Sequence, residues 1–431
     1  MTARSIVLGL FGMGLTACPT RNPIPRQAAC STAEWSASQQ LMVGQNGLAY
    51  VEWPQIVATR AGTAFFGDNA LVLTVTDSGF GRIAGWPRGP GMLAGMIRRS
   101  DGQLEPVSLP HHMRAFIGVR AAADRSGTAH VFWGDSQDTT ANQSDHLRGL
   151  AYASFDGTRW SKSVLVLRDS QIRWDPVYTA ILALGNDIHV VMPGERENKH
   201  DVIHVRRRAN GESVVRRHPF PGRYLALAQA NDGALVMAYV HGGSRTDRAV
   251  VSAVRSVDGG ATWSEPVVLY RTSNAGAYAV RLIPTDAGLY AVWEGSPPLT
   301  PGPFVGSTPE LHDSIQAAVS RDDGRTWNRI TGLSTPAGAA GLVAARGPDN
   351  AVHIAYQSGW RDTARVIATA MLRDGEWTEP TSHGPGPFWP TLIALGDSLI
   401  LTWDDWRSAG PERVPMTQRT LYRCSDRSSA R

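Results

Sequence analysis

The chain has 431 residues, a formal net charge of +4, 44 Gly, 27 Pro and 14 Trp, and only 19% of its residues are charged. Such a composition argues against a helical protein and for an all-β one with many turns. The basic residues are almost all arginine, Lys162 and Lys199 being the only lysines, and so mild an excess does not mark a nucleic-acid binder.

At the N-terminus, Arg4 precedes the apolar run "SIVLGLFGMGLTA", too short to cross a membrane as a helix but the right length for a signal-peptide core. The run ends in Leu15-Thr16-Ala17-Cys18, which resembles the lipobox of bacterial lipoproteins. That resemblance implies cleavage before Cys18, lipid on Cys18, and a protein exported to the bacterial cell envelope and held to a membrane through its anchor alone. An ordinary secretion signal with an incidental Cys18 is the other reading. The expected organisation is a leader over 1–17, a Pro-rich tether over 18–29, one domain over 30–426 and a short tail over 427–431.

Within the domain one phrase recurs: a turn with Asp, Asn or Gly, then a short β-branched or aromatic strand. It begins at Asp68 ("DNALVLTV"), Asp124, Gly185, Asn231, Thr285, Pro348 and Gly396. An apolar strand precedes the copies, as in "YTAILAL", "YLALAQA" and "YAVRLI", and a third and fourth strand follow. Four antiparallel strands per unit at a spacing of about 45 to 65 residues predict a β-propeller of four-stranded blades. The count gives seven blades, with six as the alternative.

Between the third and fourth strands of two units stand "SVDGGATW" and "SRDDGRTW", in which Ser256, Asp258, Gly260 and Trp263 correspond to Ser320, Asp322, Gly324 and Trp327. Degraded copies occupy the same slot at Ser154–Trp160 and Arg373–Trp377. In such a hairpin Asp accepts turn amides, Gly supplies an unusual backbone angle, and Trp wedges between sheets. The pattern resembles the Asp box (BNR repeat) of the sialidase superfamily. There the box is architecture on the face away from the ligand, so these residues are expected to be structural.

The last unit supplies three strands and stops at Cys424, while "EWSASQQL" from Glu34 reads as an orphan fourth strand. The N-terminal strand is therefore expected to pair with the last blade and close the ring, with a Cys30–Cys424 disulfide locking it.

The resemblance to sialidases implies three arginines holding a sugar carboxylate, a Tyr nucleophile activated by Glu, and an Asp acid/base. Their Arg-Ile-Pro phrase is missing from the first unit. "RLIP" at Arg281–Pro284 comes too late in the chain and toward the wrong end of its strand to replace it. Arg114, Arg173 and Arg223, which lead into successive units, are the substitute candidates, with Tyr224, Asp175 and Glu195 as catalytic partners. Trp174, Trp360, Trp389, Trp406 and Arg407 are the candidate ligand-binding residues on the same face. Each Arg–Asp pair also has a plainer reading as a tie between loops.

The expected ligand is a glycan or sialic-acid-like anionic sugar, bound by a monomer without cofactor or metal, and no nucleic-acid partner is expected. An exo-sialidase, a non-catalytic glycan-binding module and a scaffold for envelope complexes all remain open. Two further features have bland expectations. Arg206, Arg207, Arg208, Arg216 and Arg217 should solvate and protect an edge, and His130, His189 and His353 should make equivalent local hydrogen bonds.

Overall fold

The computed structural model describes residues 33–36, 39–43, 50–70, 92–98, 104–106, 115–136, 147–168, 178–196, 199–242, 248–272, 276–295, 312–359, 365–385, 390–395, 398–405 and 416–424. These residues form strands and turns and no helix.

Two short strands open the chain, β1 (Ala33–Trp35) and β2 (Gln39–Val43). Antiparallel meanders follow. The first comprises β3 (Tyr50–Thr59), β4 (Gly62–Ala70), β5 (Met92–Arg98) and β6 (Leu104–Pro106). The second comprises β7 (Ala115–Ala123), β8 (Ala129–Ser136), β9 (Leu147–Phe155) and β10 (Val164–Arg168). The third has β11 (Ala180–Leu184), β12 (Asp187–Arg196), β13 (Lys199–Arg207) and β14 (Ser213–His218). The fourth has β15 (Arg223–Gln229), β16 (Leu235–His241), β17 (Val250–Ser256) and β18 (Val267–Arg271).

An eight-stranded sheet comes next: β19 (Ala277–Thr285), β20 (Gly288–Gly295), β21 (His312–Ser320), β22 (Asn328–Arg346), β23 (Val352–Ser358), β24 (Val366–Arg373), β25 (Glu376–Trp377) and β26 (Thr381–Pro385). The long strand β22 ends one meander with its first half and starts the next with its second, pairing with β21 and then β23. Last come β27 (Thr391–Leu395), β28 (Ser398–Asp405) and β29 (Met416–Cys424). Both β1 and β2 pair with β29, in the registers Ala33↔Cys424 and Gln39↔Arg419.

The leading strands pack side by side in chain order: β3 on β7, β7 on β11, β11 on β15, β15 on β19, β19 on β22, β22 on β27, and β27 on β3. Second strands lie deepest. Every residue of β20 is buried, because neighbouring sheets cover both its faces, whereas β11 is half-exposed along its whole length. This all-β arrangement of antiparallel four-stranded units is that of a β-propeller.

The first unit departs from the expectation. Its tight turn falls at Arg60–Ala61 and its second strand is Gly62–Ala70, so Asp68 lies near the end of that strand rather than opening it. The apolar run after Asp68 outweighs "GTAFF" in a reading by composition. Pairing decides otherwise, through Thr59↔Gly62 and Asn69↔Met92.

Candidate functional site

Three leading strands, β15, β19 and β22, carry the same defect near their starts. In β15, Arg223 faces Val240 and Ala226 faces Ala238, so Tyr224 and Leu225 together oppose Tyr239. In β19, Ala279 and Val280 oppose Trp293, and in β22, Gly341 and Leu342 oppose Tyr356. These are β-bulges, and the first extra residue takes a left-handed backbone each time: Tyr224 at φ 49°, Ala279 at 48° and Gly341 at 68°. A tyrosine accepts that angle only under constraint. A bulge also turns backbone amides out of the ladder, where side chains can take them.

Three tyrosines line up at these strand starts. Tyr178, just ahead of β11, meets Tyr224 edge-on with centroids 4.7 Å apart, and Tyr224 meets Tyr278 in the same way at 5.2 Å. The Leu225 amide donates to Tyr178 O at 3.1 Å. Burial pushes the Tyr224 phenol well above its ordinary range, and the neighbouring phenols and Glu294 add to the shift. Tyr224 therefore stays a neutral hydroxyl at physiological pH. Beside Tyr178, Arg120 of β7 donates Nε to Thr179 O at 3.1 Å, which ties the second unit to the third.

Glu294 sits on β20 next to the buried Trp293 and is 3% exposed. Its Oε1 accepts the Leu342 amide at 2.6 Å, and the Gly341 amide also bonds to the carboxylate, both donors coming from the bulge in β22. Burial pushes its pKa up to about 7 against the pull of those amides and of Arg281. Arg281, one residue past the bulge in β19, is partly exposed, and burial lowers its pKa while Glu294 supports its charge. Among the described residues its one hydrogen bond runs from Nη1 to Val280 O, 2.9 Å, which leaves most of its five donors for water or a ligand. Phenol edges, a guanidinium and a carboxyl poised near neutrality can together bind a hydroxylated anion and exchange a proton with it.

Of the expected catalytic residues, Arg223 lies exposed at the start of β15, directly before Tyr224. Glu195 is on β12 opposite His200. Arg114, Arg173, Trp174, Asp175, Trp360, Trp389, Trp406 and Arg407 lie outside the described residues, as do Cys18 and Cys30. Cys424 ends β29 opposite Ala33. The carboxyl found near Tyr224 is Glu294, and the arginine is Arg281, which the expectation had set aside. Tyr178, Tyr278 and Glu294 were missed. One signal was available: the three leading-strand phrases all open on tyrosine, in "YTAILAL", "YLALAQA" and "YAVRLI".

The hairpins lie at the other end of the strands. Asp258 accepts the Ala261 and Thr262 amides, each at 2.9 Å, and the Thr262 hydroxyl at 2.6 Å; Ser256 Oγ bonds Asp258 and accepts the Gly260 amide. The Thr262 hydroxyl and amide hold the Asp258 carboxyl far below its usual range. Asp322 repeats this with Thr326 and Ser320 and is held at about 2, although partial burial pulls the other way. Trp263 packs between the third and fourth units, its Nε1 donating to His218 at 3.3 Å, and Trp327 packs between the fourth and fifth.

Four arginines of the run are occupied locally. Arg206 forks onto Asp187 and Arg217 onto Asp201, Arg208 pairs with Glu212, and Arg207 lies over the Tyr152 ring. The three histidines make local bonds: His130 to Tyr152 and Asp124, His189 to His204, and His353 to Asp349.

No family model matches this chain, and no curated protein does. Among solved structures it is similar to a protein of unknown function from Dyadobacter fermentans, with 13% identity over 91% of this chain and 99% of that one and a TM-score of 0.53. The two share a fold. It is also similar to Trypanosoma rangeli sialidase in complex with the inhibitor DANA (12% identity, 75% of this chain, 57% of that one, TM-score 0.44) and to the polysaccharide lyase Uly1 (10%, 93% and 94%, 0.48). At those scores neither carries an argument about chemistry.

Proposed function

We propose that the protein is a lipid-anchored propeller of seven blades, closed through β1 and β2, that binds an anionic glycan at the end where β11, β15 and β19 begin. The observation that carries this reading is the continuous edge-to-edge row Tyr178–Tyr224–Tyr278 beside Arg281 and Glu294. Phenol rings offer both an apolar face to a pyranose and a hydroxyl to its oxygens, and Arg281 has donors left for a carboxylate. The neutral state of Tyr224 favours recognition over turnover. The test is a panel of sialylated, uronic-acid and neutral saccharides. Selective binding of acidic members supports the reading, and indifference to charge sinks it.

Hydrolysis of sialidase type is a second reading, favoured by one observation: Glu294, with its pKa near 7, acts electrostatically on Tyr224. It requires Glu294 to take the Tyr224 proton as substrate binds. Release of a fluorophore from a sialoside, abolished by Tyr224→Phe, supports it, and no release above background rejects it.

A further inference from the structure

The shared bulge allows β15, β19 and β22 to be compared position by position. Arg281, opposite Val292 just past the bulge in β19, corresponds to Ala226 in β15 and to Val343 in β22. Glu294, opposite Tyr278 just ahead of that bulge, corresponds to Val240 in the unit before and to Gln357 in the unit after. Both ionisable groups thus fall in one unit, at positions where its two neighbours carry neutral side chains.

The fold does not demand a carboxylate at this position. Gln357 is 0% exposed at the equivalent place, so a neutral amide of the same length serves there. A buried charge persists only where it is paired or hydrogen-bonded, and Glu294 is held by the Leu342 and Gly341 amides and by the attraction of Arg281. Directly opposed residues of an antiparallel pair project from the same face, about 5 Å apart. Glu294 therefore shares a face with Tyr278, which continues the row to Tyr224 at 5.2 Å.

The surroundings of Glu294 hold little other charge. β19 contributes Tyr278 and Arg281, β15 contributes Tyr224, β22 contributes the two bulge amides, and the apolar Ile315 stands directly opposite on β21. Arg281 is the one cation in this set. His241 ends β16 at the same end of the strands, and burial and Arg271 keep it neutral where Glu294 titrates. An anion arriving at Arg281 brings a second negative charge to a buried carboxylate. Like charges so placed disfavour each other's ionisation, and the group that gives way is the one already near neutrality.

We propose, resting on the anionic-glycan reading, that Glu294 is a displaceable counter-charge: it balances Arg281 in the unliganded protein and takes one proton from solvent when the carboxylate of an acidic sugar occupies that guanidinium. Binding is thereby coupled to proton uptake, and acidic sugars are held more tightly as pH falls. A protonated Glu294 is no base for Tyr224, so the coupling belongs to recognition and not to hydrolysis.

The test is calorimetric titration of sialyllactose into the full chain from pH 6 to pH 9, repeated at pH 7.5 in two buffers of different ionisation enthalpy. Wild-type protein should take up roughly half a proton per ligand at pH 7.5 and bind about eightfold more weakly at pH 9 than at pH 6. Both values follow if binding makes Glu294 about tenfold harder to ionise. Glu294→Gln should take up no proton and keep one affinity across the range, so that at pH 9 it binds about eightfold more tightly than wild type. A role in packing alone gives no such gain, and the wild-type proton count needs no variant. Saturable binding without proton uptake, or a pH profile that survives Glu294→Gln, overturns this inference and leaves the anionic-glycan reading standing. Failure of every acidic saccharide to bind at pH 6 overturns both.

Discussion

Trp35 stands edge-on to His383, ring centroids 5.0 Å apart and planes at 70°, and Trp263 stands likewise to His218, at 6.0 Å and 80°. His218 lies on β14 and His383 on β26, each the last strand of its four-stranded unit. An indole from the N-terminal strand thus forms, at the joint between β26 and β29, the same corner that an internal hairpin forms elsewhere. Trp35 further packs on Tyr422 at 5.2 Å.

If that corner holds the two ends of the chain together, Trp35→Ala should destabilise the fold by about 2–4 kcal/mol, as for other large-to-small changes at packed aromatics. Urea unfolding measures it. A change within about 0.5 kcal/mol, the range of surface substitutions, counts against the corner.

The hairpin carboxylates are predicted to matter to stability and not to binding. Asp258→Ala strips four hydrogen-bonded donors, the Ser256 and Thr262 hydroxyls and the Ala261 and Thr262 amides, of their acceptor and should cost about 1–3 kcal/mol. Glycan affinity should stay within twofold, since Tyr224 lies at the opposite end of the strands. A large affinity loss at native stability would place recognition on the hairpin end.

Glu294 predicts a pH dependence with a defined sign. Its folded pKa, about 7, lies above the unfolded value of 4.5, so its contribution is fully present below pH 4.5 and is lost as pH rises through 7. Glu294→Gln removes that loss. The variant should gain on wild type between pH 5 and pH 8, by up to the order of 3 kcal/mol. Parallel stability curves across that range refute the assignment.

The buried histidines act in the opposite sense. Burial depresses His189 to about 4 and His204 to about 3, with the His189 charge adding to the shift of His204. Both bind fewer protons folded than unfolded, so stability is retained above pH 6.5 and lost as pH falls from there toward 3. With Arg206, Arg216, Asp187 and His218 around them, the rings tie β12 and β13 to the Gly260 carbonyl. His204→Gln should flatten the decline between pH 6 and pH 4 in chemical denaturation; an equally steep decline rules the pair out as its source.

The recurring units were legible because turn residues and indoles punctuate them at regular spacing. Where punctuation failed, so did the reading. In the first unit two apolar runs adjoin, and only pairing separates them. β22 runs from one meander into the next, and no count of turns foresees that. The site was half legible. Three tyrosines opening three leading strands are visible in the letters. Glu294 is not, because its partners are amides released by a bulge 48 residues later. Arg281 was discounted by its distance from the strand end, whereas the bulge is what sets its direction.

The most direct test of the account is calorimetric titration of sialyllactose and lactose into the wild-type protein and Arg281→Gln. The account predicts saturable binding of sialyllactose, at least tenfold weaker binding of lactose, and loss of that preference in the variant, a change of about 1.4 kcal/mol or more. Equal affinity for both sugars, or a preference that survives Arg281→Gln, contradicts it.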